Sequence, residues 1–217
     1  MSRKRVAVLI SGRGSNMAAL IEAAGDRNYP AEIVLVLSNR SDAGGLATAQ
    51  KAGIATEFVD HKTFGKDRAA FEAALQAALE KHRIDIVCLA GFMRILGADF
   101  VGRWDGRMLN IHPALLPSFK GLDTHRRALE AGVKLHGATV HLVVPEMDSG
   151  PIVAQGAVAV HDDDTEETLA ARVIKVEHRL YPLALKLLAE GRVRVVAGRC
   201  RLDTASMPAG AFLAPQD

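Results

Sequence analysis

Three features that would assign this chain of 217 residues to a special class are missing: abundant cysteine, a long apolar run and a strong net charge. The two cysteines, Cys88 and Cys200, form no C-x-x-C pair, which argues against a structural zinc site. No stretch approaches the roughly 20 apolar residues of a membrane span, and the apolar run 6–10 is too short for a signal peptide. A net charge of +2 gives no reason to expect nucleic acid or a membrane as partner. We therefore expect a cytoplasmic protein in a reduced setting, with its oligomeric state open.

The pattern that is present is the alternation of strands and helices in the first hundred residues. Hydrophobic residues make up 49% and charged residues 24%, an ordinary globular balance. The alternation predicts a doubly wound, mostly parallel α/β sheet of Rossmann-like type. The predicted strands are 6–10, 33–37, 54–59 and 84–90, and the predicted helices are 16–25, 45–53 and 66–82.

The second half of the sequence predicts an antiparallel extension of the same sheet. We expect a long helix with Asp164 as N-cap and Glu167 three residues on, which Pro182 should kink or interrupt. The other predicted elements are strands 108–111, 137–145, 152–160 and 192–196 and a helix at 124–132. We treat 1–217 as a single domain: a phosphate-binding half to about 100, a catalytic half at about 101–197, and an irregular tail at 198–217.

A glycine-rich loop, residues 11–16, lies between the first strand and the first helix. At such a turn, backbone N–H groups and a helix N-terminus face an anion. Met17 replaces the third glycine of a dinucleotide fingerprint, and no Gly-Lys-Ser/Thr follows. The second strand ends without the acidic residue that would hold an NAD ribose. The loop therefore favours a single phosphate, with a plain tight turn as the alternative.

Asn110 and His112 lie two residues apart at the end of a predicted strand, so their side chains share a face. An amide beside an imidazole is suited to hold an oxyanion as it forms. Asp148, in the turn between two strands, could orient His112 and favour its charged form. Taken singly, His112 could be a structural histidine and Asp148 a turn residue.

The remaining histidines do not indicate a metal site. His136 and His141 are five residues apart on one predicted strand, so they face opposite sides. His141 has the parity to face the core or the site, and His136 could cap the strand. No G-x-S-x-G elbow is present either. We expect a metal-free polar site in a phosphate-binding α/β enzyme of group transfer.

Six segments, in order and spacing, resemble the folate-dependent glycinamide ribonucleotide transformylase family between residue 6 and about residue 194. The segments are 11–16, 90–96, 110–117, 136–141, 147–151 and 177–182. The resemblance implies direct transfer of a formyl group from 10-formyltetrahydrofolate, the co-substrate, to the amine of glycinamide ribonucleotide in de novo purine biosynthesis. It implies that Asn110 and protonated His112 hold the tetrahedral oxyanion, and that Asp148 keeps His112 charged and helps to move a proton through water.

The same resemblance implies the substrate contacts. The ribonucleotide phosphate would meet Arg13, Gly14, Ser15 and Asn16, and Glu177 would accept hydrogen bonds from the ribose. The folate pocket would be formed by Arg68, Met93, Arg94, Ile95, Leu96, Val143 and Val144. Without the resemblance, Glu177 and Arg68 could be solvated, and Met93 and Leu96 could be core residues. The loop 117–121 departs from the Tyr-Pro-Gly of some relatives.

Three rival functions share the expected fold. A formyltetrahydrofolate hydrolase would use water as acceptor, but such enzymes carry an additional N-terminal domain, whereas the first strand here begins by Arg5. Methionyl-tRNA formyltransferases need a basic C-terminal module, which nothing after Arg201 supplies. A non-catalytic folate or nucleotide binder would show no turnover.

Overall fold

Nine strands and six α-helices follow one another along residues 2–203 and Ala214, the residues that the computed structural model describes. The strands are β1 (Lys4–Ile10), β2 (Ala31–Ser38), β3 (Ala55–Phe58), β4 (Ile86–Leu89), β5 (Met108–His112), β6 (Leu135–Leu142), β7 (Ile152–Ala159), β8 (Val193–Val196) and β9 (Arg199–Leu202). The helices are α1 (Ser15–Ala24), α2 (Gly44–Lys51), α3 (Arg68–Lys81), α4 (Ala98–Arg103), α5 (Thr124–Glu130) and α6 (Glu166–Ala189), with a 3₁₀ turn at His61–Phe64.

Seven of the strands in the described chain form one sheet in the order β3-β2-β1-β4-β5-β6-β7. Pairing is parallel from β3 to β5 and antiparallel between β5, β6 and β7. The predicted doubly wound sheet with an antiparallel extension is confirmed. The strand order reverses between β1 and β4, and ligands of open α/β sheets bind outside the carboxyl ends at such a point.

Strand β1 is buried on both faces, as its continuous apolar run predicts. Val6, Val8 and Ile10 belong to a core cluster that α1 and α6 cover. Ala7 and Leu9 point the other way, into a cluster that α3 and α4 cover. The period of two along a strand thus supplies both hydrophobic layers and places helices on each side of the sheet.

The N-terminus of α6 corrects one prediction. Thr165, and not Asp164, is the N-cap, and it shares a capping box with Thr168 rather than with Glu167. Asp164 instead accepts hydrogen bonds from Arg172, which lowers the pKa of its carboxyl. Asp164 and Thr165 are both good capping residues, so composition alone could not decide between them.

Proline does not end α6: the helix runs past Pro182 to Ala189, so the predicted interruption is wrong. Tyr181, Ala184 and Leu185 around it are fully buried in the core. Their packing outweighs the roughly 3 kcal/mol that proline costs in a helix interior.

Two further elements differ from prediction. Helix α4 was not predicted, because its six residues are too few for a clear period. The tail expected to be irregular from 198 contains β9, which pairs with β8 and contacts β7. The other predicted tail residues, 204–213 and 215–217, lie outside the described residues.

Both cysteines are free thiols. Cys88 is fully buried, as its apolar neighbours predict, and burial raises the pKa of its thiol to about 12. Among the helices that the structure describes, none combines the length and the apolar character needed to cross a membrane.

Tyr181 ties α6 to two neighbouring strands. Its buried hydroxyl lies 2.9 Å from the carbonyl oxygen of Leu89 and 3.1 Å from that of Leu109. Tyr181→Phe removes this shared donor, so we expect the free energy of unfolding in a urea titration to fall by about 1–3 kcal/mol. Tyr29→Phe, which removes a half-buried hydroxyl bonded to the Pro182 carbonyl, should cost less. An unchanged urea midpoint for Tyr181→Phe would show that the hydroxyl does not hold the sheet.

Candidate active site

The predicted polar residues collect at one edge of the sheet. The glycine loop follows β1, the segment 90–97 follows β4, and His112 is the last residue of β5. The carboxyl ends of these parallel strands meet beside the point where the strand order reverses. This edge is where the fold favours a ligand.

The structure brings Asn110, His112 and Asp148 together. His112 Nδ1 lies 3.5 Å from Asp148 Oδ2, and the other carboxylate oxygen lies 3.8 Å from His141 Nε2. Asn110 pairs with His141 across β5 and β6, which places the amide nitrogen 3.2 Å from His141 Nε2. The three predicted catalytic residues therefore share one polar cluster with His141.

His112 has an acceptor oxygen at each ring nitrogen. It is 5% exposed, and its Nε2 lies 2.9 Å from the Phe119 carbonyl oxygen, while Nδ1 faces Asp148. A carbonyl and a carboxylate only accept, so a doubly protonated ring satisfies both contacts. Asp148 also accepts the Gly121 N–H at 2.9 Å. The loop that carries Phe119 and Gly121 is thereby held against the cluster.

His141 orients Asn110, a role that reasoning from the sequence did not assign. Its Nδ1 lies 2.9 Å from the Leu142 carbonyl and must carry the hydrogen, which leaves Nε2 to accept from the Asn110 amide. Burial lowers the pKa of His141, against the opposing effect of Asp148, so the ring is neutral at pH 7. One of the two amide hydrogens of Asn110 is fixed in this way, and the other is left for a ligand. Only the pairing register of β5 and β6 could have indicated this.

His136 stands apart from this cluster. It is buried inside β6 and does not cap the strand. Its Nε2 lies 3.2 Å from His125 Nδ1, and burial lowers its pKa to about 4. The neutral ring packs edge-on against Phe119 at 5.9 Å and supports the residue whose carbonyl contacts His112. In the part of the chain that the structure describes, no group of three His, Cys, Asp or Glu residues is placed to hold a metal.

The glycine loop leaves the N-terminus of α1 open. Gly14 is its N-cap at φ 73°, a left-handed conformation that glycine adopts readily, and no side chain caps the helix. Arg13 and Ser15 are exposed beside it. The first N–H groups of α1 are thus available to an anion, in line with the phosphate role predicted for residues 13–16.

Glu177 is buried, so the solvated alternative for this residue is wrong. It is 5% exposed, and its carboxylate accepts a hydrogen bond of 2.6 Å from the Asn16 amide. Burial raises the pKa of the Glu177 carboxyl. A predicted ribose contact on α6 and a predicted phosphate contact on α1 therefore touch each other.

The predicted folate residues separate into two groups. One cavity of about 470 Å³ is lined by Arg68, Arg94 and Ile95. Met93, which precedes Arg94 in the sequence, is 68% exposed, so the alternative that it is a core residue is wrong. Leu96 is buried among core residues. The half-buried Val143, which packs on that core, and Val144 follow β6.

A buried serine connects the glycine loop to the segment after β4. The Ser11 hydroxyl donates to the Asn39 side chain at 2.6 Å and accepts the Met93 N–H at 2.8 Å. His61 Nδ1 in turn lies 3.0 Å from the Asn39 carbonyl. The polar Asn39 stands where a dinucleotide-binding chain has an acid, but its partners could not be read from the sequence.

Comparison with known protein families gives a match: residues 4–185 match the family model described as formyl transferase. This match covers the glycine loop, the polar cluster of Asn110, His112 and Asp148, and most of α6. The chain belongs to the formyl transferase family.

Relatives of this formyl transferase are similar over most of its length. Phosphoribosylglycinamide formyltransferase of Escherichia coli is 42% identical over 97% of this chain and 99% of that protein. The solved phosphoribosylglycinamide formyltransferase of Brucella melitensis is 57% identical, with a TM-score of 0.84 over 90% of this chain and 100% of that one. The trifunctional purine biosynthetic protein adenosine-3 of Bos taurus is 52% identical over 89% of this chain. The formyl transferase chain spans only 19% of that longer protein.

The buried carboxyl of Glu177 should make stability depend on pH. Because its pKa is raised in the folded state, the group favours folding at low pH, and this contribution is lost as the pH rises through the folded pKa. We therefore expect the free energy of unfolding, measured by urea titration, to favour the wild type over Glu177→Gln less at pH 8 than at pH 4.

Glu167→Gln, on the same helix, is the matched control of opposite sign. A hydrogen bond from Thr165 lowers the pKa of the exposed Glu167, so its contribution to stability is lost as the pH falls. If the difference in free energy of unfolding between the wild type and Glu177→Gln did not change with pH, the Glu177 carboxyl would not be held in a desolvated site.

Proposed function

We propose that this formyl transferase moves the formyl group of 10-formyltetrahydrofolate to the amine of glycinamide ribonucleotide, a step of purine biosynthesis. The observation that carries the proposal is the cluster of Asn110, His112 and Asp148, with 3.5 Å between His112 and Asp148. The match to the Escherichia coli enzyme along 97% of the chain supports the same conclusion.

The proposed reaction is a direct attack of the substrate amine on the formyl carbon. A C–N bond forms to the ribonucleotide, and the oxygen of the resulting tetrahedral intermediate carries the negative charge. The free amide hydrogen of Asn110 and the imidazolium of His112 stabilise this oxyanion. His112 exchanges one of its present acceptors for it. The bond to N10 of the folate then breaks, and the proton lost by the amine reaches N10 through water and Asp148.

The two substrates approach this cluster from different loops. The ribonucleotide phosphate binds at the open N-terminus of α1, where the helix dipole and the N–H groups of residues 14–16 favour an anion. Glu177, already in contact with Asn16, accepts from the ribose hydroxyls. The folate lies along the segment 93–96 and residues 143–144, with Arg68 and Arg94 facing its carboxylates.

A hydrolase on the same fold would give the same cluster but a different dependence on the acceptor. The test follows the loss of 10-formyltetrahydrofolate with and without glycinamide ribonucleotide. We expect rapid loss only when the ribonucleotide is present, together with formylated ribonucleotide as product. Equal loss in both reactions would identify a hydrolase, and no loss in either would identify a binding protein.

Asp148→Asn separates a catalytic aspartate from a turn residue. If Asp148 favours the imidazolium and accepts a proton, the rate constant of formyl transfer should fall by at least about 10²-fold. Asparagine tolerates the positive φ of 50° at this position, so folding should survive. Stopped-time assays of product, with circular dichroism for the fold, provide the measurement.

Asp123→Asn is the matched control for this variant. Asp123 also has a positive φ, of 55°, but its carboxylate is exposed and pairs with Arg126. This control should keep wild-type activity. An Asp148→Asn enzyme as active as the control would leave Asp148 a turn residue.

A further inference from the structure

Two hydrogen bonds connect the loop before α5 to the turn between β6 and β7. The Gly121 N–H donates to Asp148 Oδ2 at 2.9 Å, and the Lys120 ammonium donates to the Ser149 hydroxyl at 2.6 Å. We call this pair of contacts the clasp. Its first contact ends on the carboxylate that faces His112, and its second contact acts on the next residue of the turn.

Asp148 lies in a turn that is anchored on one side only. Its φ of 50° is a left-handed conformation that is uncommon for residues with a side chain. At Gly150 the backbone touches β6, because a Cβ there would lie 1.7 Å from the Leu142 carbonyl oxygen. Met147, on the other side of Asp148, is 60% exposed. The turn is therefore anchored after Asp148 and open before it.

The Ser149 hydroxyl closes the open side of this turn. It donates to the Met147 carbonyl oxygen at 3.0 Å, a hydrogen bond that spans Asp148, and it accepts from the Lys120 ammonium. A hydrogen bond with a charged donor is about twice as strong as one between neutral groups. Lys120 thus fixes the hydroxyl that fixes the backbone around Asp148.

The backbone that carries Lys120 is itself held in place. Arg127 of α5 donates to the Lys120 carbonyl oxygen at 2.6 Å and to the Leu122 carbonyl oxygen at 3.3 Å. Its guanidinium also lies 5.7 Å from the centre of the Phe119 ring. The loop is therefore tied to α5 on both sides of Gly121, and Lys120 reaches the turn from a fixed position.

Lys120 also lies close enough to the polar cluster to affect it electrostatically. Burial is the main cause of the lowered pKa of His141, and the Lys120 cation adds to this lowering. Among the described residues, no carboxylate lies within 4.0 Å of the Lys120 ammonium. Such a cation could attract an anionic substrate or support the turn. The 2.6 Å contact to Ser149 favours support of the turn.

We propose, on the basis of the function proposed above, that Lys120 is a positioning residue for formyl transfer. Its ammonium holds Ser149, and Ser149 holds the Asp148 carboxylate beside His112. Without the contact from Lys120, the turn no longer maintains the distance of 3.5 Å between His112 Nδ1 and Asp148 Oδ2. Lys120 touches neither substrate in this role, so loss of its ammonium slows the chemical step and leaves substrate binding intact.

The test is a double-mutant cycle with Lys120→Met, Ser149→Ala and the variant that carries both changes. We expect each single change to lower kcat by about 10- to 10²-fold, since a misplacement of about 1 Å in a site can cost about 10²-fold. The KM values for glycinamide ribonucleotide and 10-formyltetrahydrofolate should stay within about twofold of the wild type. The double variant should be no slower than the slower single variant, because both changes break one contact.

Lys134→Met is the matched control for the cycle. Lys134 donates to Asp162 at 2.7 Å, but it precedes β6, at the end of that strand remote from the turn. This variant loses a lysine hydrogen bond of similar length without touching the clasp, so it should keep the wild-type kcat.

Three kinetic results would overturn the inference. The first is a kcat of Lys120→Met equal to that of the control. The second is a pair of single effects that multiply in the double variant, since Lys120 would then not act through Ser149. The third is a raised KM with an unchanged kcat, which would make Lys120 a substrate contact.

Hydrogen exchange of the Gly121 amide provides a readout that does not need turnover. Because this N–H donates to Asp148, its exchange, followed by NMR, should be faster in Lys120→Met and in Ser149→Ala than in the wild type. If the wild type fails to formylate the ribonucleotide, the proposed function is wrong, and faster exchange in both variants still supports Lys120 as the residue that positions Asp148. Unchanged exchange in both variants would show that Lys120 does not hold the turn.

Discussion

The antiparallel pairing of β5 with β6 is the constraint on which the site depends. In a wholly parallel sheet, Asn110 and His112 would face the next crossover helix, and no neighbouring strand would run back past them. The reversal places His141 opposite Asn110 and lets the turn after β6 return Asp148 to His112. A polar cluster is thus assembled from three short segments: β5, β6 and the turn that carries Asp148.

The two histidines of the polar cluster, His141 and His112, have different electrostatic surroundings. His141 is desolvated and serves as a neutral acceptor, which costs no buried charge. His112 sits between a carbonyl and a carboxylate and can carry a positive charge. Both histidines lie within 4 Å of the same aspartate, but the rings differ in their other partners: His112 faces the Phe119 carbonyl, and His141 faces the Leu142 carbonyl and the Asn110 amide.

The sequence predicted the parts of the structure that follow from local pattern. Buried strands such as β1 and the amphipathic α3 were predictable because their periods are clear, and Asn110, His112 and Asp148 stood in recognisable segments. The role of His141 was not predictable, because it depends on the register between strands. The sequence could not show which of Met93 and Leu96 is buried, since the segment after β4 has no regular period. Leu96 turns into the core, whereas Met93 turns outward.

The hydrogen bonds of Ser11 have a consequence for how such a sequence can change over time. Its hydroxyl is saturated, with Asn39 as acceptor and the Met93 N–H as donor. A change at position 11 alone would leave a buried amide oxygen and a backbone N–H unpaired at once. An exchange at position 39 can remove the orphaned amide oxygen, but the Met93 N–H would still lack an acceptor, so position 11 is expected to keep a hydroxyl even where position 39 changes.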